Sequence, residues 1–166
     1  LRLPETLPAD RRRPFTAAGI AEGFGIVAGN RQALLYILAT GIIIAALFGF
    51  LNSSQQVFTE VYGLGAWFSV AFAGIGVAMS IGSFINSRAV KRFGMRPIAH
   101  GCLLTFIALA ALLAALAALD ALPFVVFLPL LMATFVAFAG IGANFSALAL
   151  EPLGQVAGTA ASAQGF

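Results

Sequence analysis

The sequence predicts an all-α polytopic membrane protein with four transmembrane helices and the start of a fifth. Apolar residues make up 61% of the 166 residues and charged residues only 9%, with a mean hydropathy of +1.01. Soluble domains usually carry about 25% charged residues. The charged residues lie between long apolar runs, and these runs lack the alternation that is typical of strands.

Four apolar runs are long enough to cross a hydrocarbon core of about 30 Å, which requires about 20 helical residues. The predicted spans are about 33–58, 64–85, 98–119 and 122–150. The run 157–166 is too short to cross and is predicted as the start of the next helix. The connections between spans are short, so consecutive helices are predicted to be antiparallel neighbours.

The termini predict a piece of a longer protein, because the chain begins at Leu1 and ends in an apolar run at Phe166. The proline-rich and charged beginning has no apolar core and is not a signal peptide. We therefore expect residues 1–32 to be a cytoplasmic segment with room for a surface helix.

The basic residues occupy two segments and predict the orientation. Five precede the first span and four lie between the second and third, and these nine are Arg2, Arg11, Arg12, Arg13, Arg31, Arg88, Lys91, Arg92 and Arg96. By the positive-inside rule, residues 1–32 and 86–97 are cytoplasmic, and the loops with Glu60 and Asp120 lie outside. The sequence thus predicts a multi-pass protein of the cytoplasmic (inner) membrane. Nucleic-acid binding is not expected, because the cations flank apolar runs.

Small residues at four-residue spacing predict helix-packing faces in the first two spans. Such residues let the backbones of membrane helices approach closely, although a chain rich in Gly and Ala also produces these stripes by chance. The packing candidates are Gly41, Ala45, Gly49, Gly74, Ala78 and Gly82.

Uncharged polar residues inside the spans are the candidates for a substrate cavity. Asn52, Ser53 and Gln56 lie near the end of the first span, where the alternatives are hydrogen bonds between helices or simple exit from the membrane. Asn144 in the fourth span either points into a pore or bonds a neighbouring helix. His100 is expected at the cytoplasmic interface, with a proton-relay role as the alternative.

The sequence contains no residues that would support an enzyme. One Cys and one His exclude a disulfide framework and a His/Cys metal cluster within the chain, and no cofactor motif is present. No charged residue lies deep in any span, so an ion-coupling group is expected elsewhere.

Three motifs, in chain order, resemble the C-terminal half of a major facilitator superfamily carrier of the Bcr/CflA drug efflux type. They are Leu3–Pro8 with Arg11–Arg13, Ser53–Phe58 with Glu60–Leu64, and Asn144–Ser162. The resemblance implies that the spans correspond to helices 7–11 of a twelve-helix fold. It also implies that residues 33–166 form part of a C-terminal six-helix bundle whose N-terminal partner half is missing.

The segment 86–96 is similar to the superfamily loop Gly-x-x-x-Asp-Arg-x-Gly-Arg, but it departs from that pattern. Ser87 stands in place of the first Gly and Lys91 in place of the acidic residue, so a gating ion pair built on that acid is not expected. The cytoplasmic gating candidates that the resemblance implies are Arg88, Lys91, Arg92, Gly94 and Arg96.

The resemblance implies proton-coupled export of drug-like small molecules by alternating access. The expected partners are a small-molecule substrate, protons, the lipid bilayer and the missing half. Two alternatives stay open: a nutrient or metabolite facilitator of the same superfamily, and a non-transporting assembly subunit whose small-residue stripes bind partner helices.

Overall fold

A computed structural model describes residues 16–165, and its regular structure in this range is helical throughout. Six α-helices follow one another in the chain: α1 (Ala17–Gly29), α2 (Arg31–Gln56), α3 (Phe68–Phe93), α4 (Met95–Ala118), α5 (Phe124–Leu150) and α6 (Ala157–Gly165). The motif Leu3–Pro8, the basic residues Arg2 and Arg11–Arg13, and the terminal Phe166 lie outside the described residues.

Four helical stretches are long and apolar enough to cross a membrane: Arg31–Val61, Gly65–Phe93, Met95–Ala118 and Phe124–Gly154. The predicted fold class is therefore confirmed. The second and third stretches extend toward each other, so the predicted connection 86–97 is helical on both sides of Gly94. Apolar composition marks only the part of a helix within the hydrocarbon, because Lys and Arg side chains can extend toward water while their helix continues.

The junction between α1 and α2 is a single capping residue, Asn30. Its side-chain oxygen accepts a hydrogen bond from the backbone N–H of Ala33 at 3.0 Å, which satisfies one of the free donors at the start of α2. The segment that precedes the first span thus contains a helix, α1. Its position on a membrane surface stays a prediction.

The turn between α2 and α3 begins with a π-helical turn over Val57–Val61. It closes through Gly63 and Gly65, which have positive φ angles of 65° and 51°. The hydroxyl of Tyr62 donates to the carbonyl oxygen of Leu122 at 3.0 Å, so it joins this turn to the start of α5. Burial raises the pKa of the Tyr62 phenol.

Helix α5 is the centre of the bundle, because α2, α3 and α4 all pack on it. Its inward side chains form two apolar clusters with the other helices, one around Phe127, Leu131 and Phe135 and one around Ile141 and Phe145. Consecutive helices are thus not always neighbours: α4 adjoins α5, but α2 and α3 contact α5 much more than each other. A short connection keeps two helix ends close together. Which helices pack along their lengths depends on the shapes of their surfaces.

The last helix, α6, packs mainly against α1. The approach is close at Gly23, where an added Cβ would lie 2.8 Å from the Thr159 hydroxyl. A buried apolar cluster lies at this junction and includes Val27, Leu153, Val156 and Ala160. The two ends of the described chain therefore hold each other in place.

Candidate functional site

Helix α2 has two chemically different faces near its end. Ser54 and Phe58 are buried toward the bundle, and the Ser54 hydroxyl donates to the carbonyl of Leu51. Asn52 and Gln56 lie on the opposite face and are exposed. The three residues of this helix that were predicted for a cavity, Asn52, Ser53 and Gln56, thus share the exposed face, whereas Ser54 faces the bundle.

The exposed polar side chains make local hydrogen bonds. The Asn52 amide donates to the carbonyl of Phe48 at 2.8 Å, and the Ser53 hydroxyl donates to the carbonyl of Gly49 at 2.9 Å. The Gln56 amide donates to Glu60 at 3.2 Å. Each of these three side chains thus donates a hydrogen bond to a group in its own helical stretch.

Asn144, also predicted for the cavity, lies buried between helices. Its side-chain amide donates to the side-chain oxygen of Asn86 on α3 at 2.7 Å and to the carbonyl of Gly140 at 2.6 Å. Of the two alternatives for Asn144, the described residues show the bond to a neighbouring helix. Sequence reasoning missed Asn86 because it lay in a predicted connection, although it follows Gly82 by one helical turn.

The two small-residue stripes differ in their surroundings. Gly74, Ala78 and Gly82 face α5, and a Cβ added at Gly82 would lie 2.6 Å from the carbonyl oxygen of Val136. The stripe on α2 faces away from the bundle. A Cβ added at Gly41 or Gly49 would meet nothing within 4 Å, and Ala45 is exposed.

At the predicted cytoplasmic end, Arg96 joins three helices. Its guanidinium contacts the carboxylate of Glu151 at 3.1 Å and donates to the side-chain oxygen of Gln32 at 3.2 Å. Gln32 in turn donates to Glu151 and to the carbonyl of Leu148. Neither Gln32 nor Glu151 was among the predicted site residues. In the sequence, the one indication of this contact was an acidic residue, Glu151, at the end of the fourth predicted span.

A second contact joins α2 to α4 one helical turn further along both helices. The Tyr36 hydroxyl and the Nε2 atom of His100 lie 3.3 Å apart, and both rings contact Phe145 on α5. Gln32 with Arg96 and Tyr36 with His100 thus form two successive contacts between the helices. His100 lies near the start of α4, and its place at the cytoplasmic interface stays a prediction.

The remaining gating candidates are exposed on one short segment. The Arg88 guanidinium lies 4.0 Å from the centre of the Phe84 ring, and that of Arg92 lies 5.2 Å from the Phe93 ring. Within residues 16–165, no carboxylate pairs with Arg88, Lys91 or Arg92. Gly94 alone separates α3 from α4, with a φ angle of 85° that other residues rarely adopt.

No group of three or more His, Cys, Asp and Glu side chains able to hold a metal ion occurs in the part of the chain that the structure describes. The polar features are instead an exposed uncharged face on α2, a buried Asn pair and a cationic end. With four apolar helices long enough to cross a membrane, these features define a polytopic α-helical membrane protein.

Two curated proteins are similar to the chain over nearly its whole length. An uncharacterized MFS-type transporter, YdgK, of Bacillus subtilis is 30% identical over 172 residues, covering 100% of this chain and 41% of its own length. A bicyclomycin resistance protein homolog of Haemophilus influenzae is 32% identical over 166 residues, covering 96% of this chain and 40% of its own length. No family model and no solved structure matches the chain.

The chain is thus a homologue of transporters of the major facilitator superfamily, and it spans about two fifths of the length of these relatives. The resemblance that the motifs indicated is confirmed, both for the superfamily and for its drug-resistance members.

Proposed function

We propose that the chain is the C-terminal part of a secondary active transporter that exports drug-like small molecules across the cytoplasmic membrane by alternating access, coupled to protons. The observation that carries the proposal is the 32% identity to the bicyclomycin resistance protein homolog over 96% of this chain. The six-helix half that precedes it in such carriers would supply the opposing wall of the substrate site.

The exposed face of α2 supports the proposal that a substrate cavity lies beside this helix. Gly49, Asn52, Ser53 and Gln56 share this face, opposite the side chains that pack on α5. A carrier of this class binds its substrate between its two halves. An exposed helix face with amide and hydroxyl groups suits that interface, because uncharged polar groups can orient a drug-like molecule without a buried charge.

The cationic end supports a cytoplasmic gate. Arg96, Gln32 and Glu151 connect α2, α4 and α5, so a movement of one helix end would be transmitted to the others. We propose that Glu151 is the acidic partner at this end, since Lys91 occupies the position of the loop's own acid. Arg88, Lys91, Arg92 and Gly94 complete the proposed gating segment.

We propose that the ionisable group that couples transport to protons lies in the N-terminal half. Glu22, Glu60, Asp120 and Glu151 are the carboxylates within residues 16–165. Glu22 lies within α1, which precedes the four long apolar helices, and the other three lie at helix ends or turns. Proton-coupled carriers normally keep an ionisable group within the membrane.

Expression of the complete gene in a drug-sensitive bacterial host tests the proposal. We expect raised tolerance to bicyclomycin or to other drug-like antibiotics, which is lost when a protonophore collapses the proton gradient. The paired variant Asn52→Ala/Gln56→Ala should lower the tolerance at unchanged membrane abundance. Uptake of nutrients without any gain in drug tolerance would favour the facilitator, and no transport of either kind would favour the assembly subunit.

The proposed orientation has its own test. A cysteine at the exposed Ser87, in a Cys102→Ser background, should react with a membrane-impermeant thiol reagent only after the cells are opened. Labelling of intact cells would contradict the cytoplasmic placement of this segment.

A further inference from the structure

Helix α3 carries an open groove on the face that points away from α5. Ala71, Ile75, Ala78 and Gly82 are buried toward the bundle. The groove lies on the other side, is shallow and open, and is lined by residues of α3 alone: Ala73, Gly76, Val77, Ser80, Ile81 and Phe84. The Ser80 hydroxyl donates to the carbonyl of Gly76 at 3.0 Å, so the polar group of the lining is satisfied internally.

The groove ends at a pair of cations. The Arg88 guanidinium lies over the Phe84 ring, at the last lining residue, and Lys91 is exposed on the same face about one turn further on. Neither cation pairs with a carboxylate within residues 16–165. This face of α3 is therefore apolar along the groove and positively charged at one end.

The part of α3 that lines the groove is about as long as one leaflet of a bilayer is thick. From Ala73 to Phe84 the helix rises about 16 Å, and half of a hydrocarbon core of about 30 Å is about 15 Å. An acyl chain lying in the groove would therefore place a headgroup at the level of Arg88 and Lys91.

We propose that this groove and its two cations bind an anionic phospholipid, with an acyl chain along α3 and the phosphate at Arg88 and Lys91. An Arg fork held by an aromatic ring suits bidentate contact with phosphate oxygens. Clustered Lys and Arg beside a membrane helix attract anionic headgroups. The inference requires only that α3 crosses the bilayer and does not depend on transport.

Native mass spectrometry of the full-length protein, released from nanodiscs that contain phosphatidylglycerol and phosphatidylcholine, tests the site. Both leaflets have the same composition in a nanodisc, so the result is independent of orientation. The wild-type protein should retain phosphatidylglycerol selectively. Arg88→Gln and Lys91→Gln should each weaken this retention by about fivefold, the loss expected for one cation near the membrane surface.

The matched control is Arg31→Gln, which removes an exposed cation at the same end of the bundle but on α2. An equal loss of retention in this variant would overturn the proposal, since it would indicate general electrostatic attraction.

A second variant tests the groove itself. Gly76→Leu fills the groove, and its Cβ has room because an added Cβ at Gly76 meets nothing within 4 Å. We expect it to abolish selective retention, whereas Gly41→Leu, equally unobstructed on α2, should leave it intact. Retention that is unchanged by Gly76→Leu would overturn the proposal. Absence of phosphatidylglycerol from the wild-type protein would do so too, and would indicate that another part of the full-length protein covers this face.

Discussion

Asn144 on α5 donates a 2.7 Å hydrogen bond to Asn86 on α3, and the backbones of these two helices come close together one turn away at Gly82. The small residue and the amide pair cooperate, because an amide side chain is short and spans only a narrow gap. An uncharged pair also avoids the cost of placing an ion at this depth. The contact between α3 and α5 thus combines close packing with one directional bond.

Breaking the Asn pair should destabilise the bundle modestly. We expect Asn144→Val and Asn86→Val each to lower the free energy of unfolding by about 0.6 kcal/mol, the average for hydrogen bonds between membrane helices, and by no more than about 1.7 kcal/mol. The double variant should cost less than the sum of the two, because the second change removes an already unpaired group. Unfolding of the four proteins in mixed micelles measures this coupling, and simple additivity would contradict the bond.

Gly82→Ala should lower the stability of the protein, whereas Gly41→Ala should not. The Cβ of Gly82→Ala would lie 2.6 Å from the Val136 carbonyl oxygen, so α3 and α5 would have to separate. Overpacking of this kind typically costs about 1–3 kcal/mol. Gly41→Ala is the matched control, because its Cβ meets nothing within 4 Å. Thermal unfolding in detergent compares the two, and equal midpoints would show that α3 does not approach α5 at Gly82.

Loss of the pair between Arg96 and Glu151 should affect transport more than stability. Both side chains are 58% exposed, and exposed ion pairs contribute little to folding. We expect Arg96→Gln to lower drug tolerance of cells that express the complete gene, with only a small change in melting temperature. The exchange Arg96→Glu/Glu151→Arg should restore part of the activity. Full activity in Arg96→Gln would remove this contact from the proposed gate.

Cysteine accessibility should separate the proposed cavity residues from the packing residue. In a Cys102→Ser background, we expect Asn52→Cys and Gln56→Cys in the complete protein to react with impermeant thiol reagents from the outer side. Asn144→Cys should not react, because Asn144 is only 5% exposed. Protection of Asn52→Cys by an excess of substrate would support the cavity, and inertness of both α2 positions would argue against it.

Much of the fold follows from the sequence because membrane burial leaves a strong local signal. Uncharged runs of about 20 residues identify helices, and the four spans agree with four long apolar helices. The helix ends were less predictable. Residues 86–93 continue α3 because a helix can carry Lys and Arg into the interface, and only Gly94 breaks it.

The site was less predictable because it depends on which helices meet. Asn52 and Asn144 look alike in the sequence, yet one is exposed on the outer face of α2 and the other is buried against Asn86. The partners of Arg96 are distant in the chain, since Gln32 and Glu151 come from opposite ends of the described range. No local pattern encodes such contacts, and the packing of α2, α4 and α5 creates them.

The central position of α5 has a consequence for biosynthesis. Helices α2, α3 and α4 enter the bilayer first, yet each finds its main packing surface on α5, which is made after them. Within residues 16–165, these three helices therefore lack their main packing surface until α5 has been synthesised. A chain interrupted before Phe124 would leave three inserted helices without the surface that assembles them.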